Sequence, residues 1–424
     1  YSVRGGEWKR LKAVDAYDSL GNWYAYVTAL CGFKAKKHEG KITGLAAHGE
    51  PVYYDLLREM VGYEDGGTVN RANALFDGAL ELLEESLPED WRREDLAASV
   101  QKLAEDLAVR HVSEWLDRTG HRRVALAGGL FANVAVNRRI HEVDGVEDVF
   151  VFPGMTDEGL PPGAAWALRD EIGGELDGAP SVRLPDVFLG PAYSEKEMEE
   201  ALRDAGVEYE RCEEPEERAA EKLAEGAVVA RFDGRMEFGP RALGHRSILY
   251  QPTDPSAQDW LNECLDRTEF MPFAPSVLLE EAERCFRGVE GALDTARFMT
   301  ITFECTDWMR ENCPGVVHVD GTARPQLVDR EESLSYWRLI DAYRRRTGLP
   351  VIVNTSFNMH EEPIVCSPAD AVRAFEASRL DYLSIGPFLA TSETGTRTLR
   401  FTDEATGRTG GTRPDRSRRI HADG

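Results

Sequence analysis

The chain has 424 residues, of which 42% are hydrophobic and 29% charged, and its formal net charge at pH 7 is -25. This length predicts two or three domains, and no run of 18 apolar residues is present that would cross a membrane. The excess of carboxylates argues against nucleic acid and anionic membranes as partners. The seven cysteines form no CxxC pair, which favours reduced thiols in a cytoplasmic protein.

The first half of the chain has the element order of an α/β layer domain. Helical spacing predicts a helix over 97–118 that ends at Gly120, and VALAGG (124–129) predicts a short buried strand before a diglycine turn. A helix over 130–143, a strand over 149–154 and a helix over 164–173 follow. The Gly-, Pro- and Asp-rich stretch 173–186 is typical of a linker, so we place a first domain at 1–180.

The second half has the pattern of a mixed α+β domain, which we place at 187–396. Its predicted helices cover 195–205, 254–266, 331–347 and 368–378. Its predicted strands cover 227–234, 298–303, 350–358 and 381–386. The Thr-, Arg- and Gly-rich tail, 397–424, is predicted to be disordered at its end.

A glycine-punctuated loop, MEFGPRALGHRSIL, concentrates positive charge in this acidic chain. Arg241, His245 and Arg246 lie within six residues, next to Gly239 and Gly244. Glycines let backbone N–H groups approach an anion, and arginine forms bidentate bonds to phosphate or carboxylate. The cluster predicts an anion site; structural ion pairs with nearby acids are the alternative.

Two further segments of the second half carry polar residues beside strands. In HVDGTARPQLV, Arg324 and Gln326 share a face if the segment is extended, and an edge strand with ordinary polar residues is the alternative. In VIVNTSFNM, Asn354 and Ser356 share one face directly after a buried strand, and Asn358 follows. Small polar side chains at such a strand end indicate a ligand site, with a simple turn as the alternative.

Three motifs of the first half give weaker signals. LAGGLFANVAVN places Gly128 and Gly129 between a strand and a helix, with Asn133 one turn in, where the backbone either contacts a nucleotide or packs closely. PGMTDEGLPPGAA places Asp157 after a strand, where a carboxylate holds a metal, polarises a hydroxyl or is simply solvated. HEGKITGLAAHGEP contains Lys41 beside glycines, without a specific indication.

Taken in chain order, these motifs strongly resemble the O-carbamoyltransferases of the NodU/CmcH/TobZ type over residues 15–392. FMPFAPSVL and NTSFNMHEEPIV belong to the same pattern. The resemblance implies a partial actin-like ATPase domain, like that of the tRNA threonylcarbamoyl transferases, followed by a YrdC-like domain. It implies that the second domain makes carbamoyl adenylate from carbamoyl phosphate and ATP. The first domain then transfers the carbamoyl group to a hydroxyl of a small molecule in secondary-metabolite or sugar biosynthesis.

The resemblance also assigns site residues. The positions that match the adenylate-forming site are Arg241, Arg246, Arg324, Asn354 and Ser356. The positions that match or flank ligand contacts are Lys41, Gly128, Gly129, Asn133, Gly239, His245, Arg267 and Asn358. Relatives often carry an arginine where this chain has Met271. The phosphate pocket is therefore expected to be either rewired or less cationic.

The expected metal site departs from the family pattern. Asp157 matches an acid that in relatives joins a histidine pair on a divalent metal, Fe or Mg. The HxxxH motif of the family lies in an N-terminal segment that this chain does not contain, and none of its nine histidines forms HxxxH. We therefore expect carbamoyl adenylate formation to be retained, and metal binding and transfer to be impaired.

Two other functions stay open at this point. A tRNA threonylcarbamoyl-adenylate type of enzyme shares both folds, but it needs a basic surface, against which the net charge argues. A catalytically impaired nucleotide-binding remnant is the second. The sequence does not identify the hydroxyl acceptor, and it leaves the oligomeric state open, with a homodimer as one candidate.

Overall fold

The computed structural model describes residues 1–171, 184–257, 261–262, 265, 273–378 and 380–392. Arg267, the tail 397–424, most of the predicted linker and part of the helix predicted over 254–266 lie outside the described residues.

The described α-helices are distributed over both halves of the chain. They are α1 (Leu20–Leu30), α2 (Glu39–Ala46), α3 (Tyr54–Met60), α4 (Phe76–Ser86), α5 (Arg93–Thr119), α6 (Val134–His141), α7 (Leu160–Glu171), α8 (Glu195–Ala205), α9 (Pro215–Ala224), α10 (Ala282–Cys285), α11 (Leu293–Ala296), α12 (Asp307–Asn312), α13 (Leu334–Thr347) and α14 (Pro368–Ser378).

The described strands are short in the first half and form a large sheet in the second. They are β1 (Ser2–Arg4), β2 (Glu7–Lys9), β3 (Val61–Glu64), β4 (Gly67–Asn70), β5 (Arg123–Leu126), β6 (Asp148–Val151), β7 (Tyr209–Arg211), β8 (Val229–Phe232), β9 (Arg246–Tyr250), β10 (Ala274–Leu278), β11 (Phe286–Arg287), β12 (Phe303–Cys305), β13 (Thr322–Ala323), β14 (Gln326–Val328), β15 (Val351–Ser356), β16 (Tyr382–Ile385) and β17 (Phe388–Thr391).

The first half packs around the long helix α5. Helices α1 to α4 contribute to one apolar cluster with α5, and the parallel pair β5–β6 joins the same cluster. As predicted, α5 ends at Gly120, which adopts the left-handed conformation with φ 68° that glycine tolerates best. The helix predicted over 130–143 is wrong at its start. Residues Gly129–Ala132 form a 3₁₀ turn, and Asn133 caps α6 by accepting the N–H of Val136 at 3.2 Å.

The second half is built on an eight-stranded mixed sheet. Its strand order is β14-β10-β15-β9-β8-β16-β17-β7, with parallel pairs at β14/β10 and β16/β8. Helices α9 and α13 cover one face, where their apolar side chains pack on those of β8, β9 and β15. Helices α8 and α14 contribute to the apolar cluster on the other face. The strand predicted over 298–303 begins later, at Phe303.

The two halves meet along β6 and α6. The N–H of Val149 donates to the carbonyl of Gly291 at 2.8 Å, and the N–H of Val151 donates to the hydroxyl of Thr295 at 3.0 Å. The side-chain amide of Asn137 donates to the carbonyl of Thr300 at 2.7 Å. These bonds confirm a mixed α/β and α+β architecture in which α6 lies against the second half. Within the described ranges, no helix combines the length and apolar character that a bilayer crossing requires.

Candidate anion-binding site

A buried carboxylate organises the arginine loop, which connects β8 to β9. Oε1 of Glu237 accepts the backbone N–H groups of Leu243 at 2.8 Å, His245 at 2.8 Å and Arg246 at 3.1 Å. Glu237 is 6% exposed. The glycine-rich loop was predicted to offer its N–H groups to an external anion, but three of them bind this internal one. The loop is therefore preformed around its own negative charge.

Two glycines fit the loop into its surroundings. Gly244 has φ 102°, and a Cβ there would overlap the ring of Tyr336. Gly239 has φ 111°, and a Cβ there would lie 3.2 Å from the carbonyl oxygen of Pro153 in the first half. Gly239 and Gly244 were predicted to bring the backbone close to a ligand. In the structure they bring it close to Pro153 and Tyr336.

His245 and Arg246 support the loop from within. His245 stacks on Phe188 with 3.7 Å between ring centroids, and its Nδ1 lies 2.7 Å from the carbonyl of Arg235. Burial, together with the charge of Arg231, lowers the pKa of His245, so the imidazole adds no positive charge at neutral pH. The Arg246 guanidinium donates to the carbonyls of Asp233 at 2.7 Å and His245 at 3.0 Å.

A buried polar network lies under the loop. The side-chain amide of Asn354 donates to the carbonyl of Ala242 at 3.2 Å, to Ser276 at 3.0 Å and to Gln326 at 2.9 Å. Gln326 donates in turn to the carbonyl of Leu243 at 2.7 Å. Asn354 was expected to face a ligand, and Gln326 to share a face with Arg324. Both side chains hold the loop backbone, at the carbonyls of Ala242 and Leu243. Oδ1 of Asn354 is buried without a hydrogen-bond partner.

Arg241 and Arg324 differ from the other arginines of the site. Neither guanidinium forms a hydrogen bond or an ion pair with any of the described residues, and Nε of Arg241 is buried without a partner. Burial lowers the pKa of Arg241, and burial followed by the charge of Arg241 lowers the pKa of Arg324 well below its usual value. Two half-buried like charges without a carboxylate are unfavourable unless an anion joins them.

Two local side-chain hydrogen bonds lie at the end of β15. The hydroxyl of Ser356 donates to Oδ1 of Asn358 at 2.7 Å, and Nδ2 of Asn358 donates to the carbonyl of Glu362 at 2.7 Å. These bonds lie in the turn that follows the strand.

A second polar cluster lies in the first half. Asn133 donates to Gln101 at 2.7 Å and to the hydroxyl of Tyr24 at 3.3 Å, and that hydroxyl lies 2.9 Å from Thr43 of α2. Lys41, on the same helix, lies with its Nζ 5.7 Å from the ring centroid of Phe33. The structure thus brings LAGGLFANVAVN and EGKITGLAAHGEP together, and Gly128 and Gly129 are exposed with open space around them.

The described residues do not form a metal site. Asp157 begins an exposed 3₁₀ turn, Asp157–Gly159. The described part of the chain contains no group of three His, Cys, Asp or Glu residues arranged to hold a metal. Asp157 by itself supplies one carboxylate ligand, and no step of the chemistry below is assigned to a metal.

Three contributors to the site were not selected from the sequence, although two of them, Glu237 and Ser276, lie within its motifs. Glu237 lies within the arginine loop but is acidic, whereas the loop was selected for its arginines and its histidine. Ser276 and Tyr336 lie on β10 and α13, far from the loop along the chain. The hydroxyl of Tyr336 donates to Ser276 at 2.8 Å. Only the sheet order, which brings β10, β15 and β14 side by side, connects them.

Comparison with known proteins gives consistent family matches along the chain. Residues 1–166 match the family model Carbamoyltransferase N-terminus, and residues 220–392 match Carbamoyltransferase C-terminus. Nodulation protein NolO of Bradyrhizobium diazoefficiens is 33% identical over 389 residues, which cover 90% of this chain and 70% of that protein. Nodulation protein NolNO of Sinorhizobium fredii is 36% identical over 399 residues, which cover 92% of this chain and 58% of that protein.

A relative from Methanocaldococcus jannaschii is 34% identical over 387 residues and covers 88% of this chain. The chain spans 62% of that relative and, as above, 58% of NolNO, which is less than two thirds of either length. Among solved structures, HypF of T. kodakarensis overlaps 42% of this chain and 20% of its own, at 21% identity and a TM-score of 0.29. That overlap is too small to assign a fold.

Proposed function

The chain belongs to the carbamoyltransferase family, and on that premise we propose that it makes carbamoyl adenylate from carbamoyl phosphate and ATP. The carbamoyl group then passes to a hydroxyl of a small-molecule acceptor, with release of AMP. The observation that carries this proposal is the pair Arg241 and Arg324, two half-buried arginines without an acidic partner among the described residues. Both substrates are phosphate anions, and arginine is suited to bind them.

The chemistry balances as three steps. Water cleaves carbamoyl phosphate into carbamate and inorganic phosphate. A carbamate oxygen attacks the α-phosphorus of ATP, and pyrophosphate leaves with the electron pair of the broken P–O bond. The acceptor hydroxyl then attacks the carbamoyl carbon, loses its proton and displaces AMP.

The protein's contribution is charge and position. Arg241 and Arg324 offset the repulsion between carbamate and the phosphates, and they stabilise charge that develops on the α-phosphoryl oxygens. Glu237, Gln326 and Asn354 hold the backbone from which Arg241 projects. A preformed loop loses little conformational freedom when the anions bind.

The first half-reaction is tested without any acceptor. The protein is incubated with carbamoyl phosphate and labelled ATP, and pyrophosphate and the AMP-linked product are measured. Loss of a hydrogen bond to a charged group is worth roughly 1.5–3 kcal/mol, so Arg324→Ala and Arg241→Ala are each expected to slow pyrophosphate release about 10- to 150-fold. Arg287→Ala is the matched control, because this arginine is exposed and pairs with Asp307 at 3.5 Å.

Each alternative result has a distinct meaning. Pyrophosphate release that survives both substitutions would contradict the assignment of the anion site. ATP binding without pyrophosphate release would favour a nucleotide-binding remnant. Absence of both binding and release by this chain would leave the proposed half-reaction without support.

A further inference from the structure

His318 lies in a tight turn that leads into the segment carrying Arg324. Its backbone N–H donates to the carbonyl of Thr322 at 2.7 Å, and the N–H of Gly321 donates back to the carbonyl of His318 at 2.9 Å. Arg324 follows Thr322 by two residues. The charges of Arg324 and of Arg138, from α6 of the first half, both act on the imidazole. Because the His318 ring contacts Thr322, two residues before Arg324, it lies close to the segment that carries Arg324.

The hydrogen bonds of this turn determine which ring nitrogen carries the proton. The hydroxyl of Thr322 lies 2.7 Å from Oδ1 of Asp320, and a carboxylate accepts but does not donate. The single hydroxyl proton therefore points to Asp320. Nδ1 of His318 lies 3.2 Å from the same hydroxyl oxygen and must donate to it. The lone pair of the neutral ring is consequently on Nε2.

Nε2 is available to a ligand. It has no hydrogen-bond partner among the described residues, and it is not one of the side-chain nitrogens that are buried without a partner. Oδ1 of Asn354 also lacks a partner, but it is fully buried under the loop and is therefore not accessible to a ligand. Nε2 of His318 is therefore an acceptor close to the segment that carries Arg324, whose guanidinium only donates.

We propose that Nε2 of His318 accepts a hydrogen bond from the amino group of the carbamoyl substrate and so selects carbamoyl over acyl groups that lack an N–H. This inference rests on the proposed function, since it assumes that a carbamoyl compound occupies the Arg241–Arg324 site. The arginines recognise the phosphate or carboxylate end of the ligand. His318 distinguishes an amide from an isosteric methyl ketone.

The charges around His318 keep it an acceptor. Burial lowers its pKa to about 4; Asp320 opposes this shift, whereas Arg324 and Arg138 add to it. A protonated imidazole would donate at both nitrogens and would repel the amino group. The preference is therefore expected to persist unchanged from pH 8 down to about pH 5.5.

The test uses two stable phosphonates that differ only at the recognised group. Phosphonoacetamide carries the amide, acetonylphosphonate carries a methyl in its place, and calorimetry measures the dissociation constant of each for the whole chain. A net hydrogen bond between neutral groups predicts about 2- to 10-fold tighter binding of the amide. In His318→Leu the preference is expected to vanish, while acetonylphosphonate binds as before. His318→Gln keeps an acceptor and should retain part of the preference.

A second variant keeps the imidazole. Thr322→Val has the same shape but removes the hydroxyl that fixes the Nδ1 proton, and it should reduce the preference without abolishing phosphonate binding. Equal binding of both phosphonates to the wild type, or an undiminished preference in His318→Leu, would overturn the role of His318 and leave the arginine site standing. Absence of binding by either phosphonate would overturn the proposed function itself, and the role of His318 with it.

Discussion

The carboxylate of Glu237 gives the most direct test of how the loop is built. Glu237→Ala removes the common acceptor of the N–H groups of Leu243, His245 and Arg246. A buried donor left unsatisfied costs roughly 1–3 kcal/mol, and a water molecule in the vacated space would satisfy some of the three. We expect the closed loop to lose about 2–4 kcal/mol relative to its open form.

Hydrogen exchange measures this loss where it occurs. Local opening free energies set the exchange of protected amides, so 2–4 kcal/mol predicts roughly 30- to 1,000-fold faster exchange in peptides covering residues 240–250. Glu237→Gln retains an oxygen acceptor without the charge, and its exchange is expected to lie between those of wild type and Glu237→Ala. Peptides from α5, which packs in the other half, serve as the internal control.

The catalytic consequence follows from the position of Arg241 in the same loop. Glu237→Ala is expected to raise the KM for ATP, because Arg241 is then no longer held in one place. Glu237→Gln should restore most of the affinity. Unchanged exchange over 240–250 in Glu237→Ala would refute the role of this carboxylate in shaping the loop.

Two further predictions concern Gly244 and His318. Gly244→Ala combines a positive φ with overlap on Tyr336, so it should lower stability by more than about 1 kcal/mol and abolish pyrophosphate release. Gly78→Ala in α4, with open space around it, should preserve activity and raise the thermal midpoint slightly, because alanine favours a helix over glycine. The pKa of His318 is lowered to about 4 from an unfolded value near 6.5, so the unfolded chain binds the extra proton between these values and stability falls as pH drops through this window. His318→Gln should flatten the fall of the thermal midpoint with pH, and identical slopes in both proteins would contradict the lowered pKa.

Local sequence determined much of the element pattern. Helix α5 and its stop at Gly120, and helices α8 and α14 with their predicted boundaries, follow from apolar spacing and from capping residues within a few positions. The start of α6 was missed because Asn133 satisfies a backbone N–H of the helix with its own side chain. The apolar periodicity of the predicted helix continues through this position, so only the side chain of Asn133 marks where α6 begins.

The motifs also selected the loop of the candidate anion site, because its charge and glycines are contiguous in sequence. Arg241 and Arg324 were both selected from sequence, and both are half-buried without an acidic partner among the described residues. The sequence did not distinguish the cationic residues that face a ligand from those that support the fold. Arg246 binds backbone carbonyls and His245 stacks on Phe188. In sequence, these two residues resemble Arg241 and Arg324, because each is a cationic or potentially cationic residue near a glycine.

That separation depends on contacts between segments that are distant along the chain. Glu237 turns the loop's N–H groups inward, Gln326 and Asn354 hold its carbonyls from neighbouring strands, and α6 of the first half brings Arg138 towards His318. Residue type determines what charge and hydrogen bonds a side chain is able to supply. Only tertiary packing decides which of them are already satisfied within the protein and which remain for a ligand.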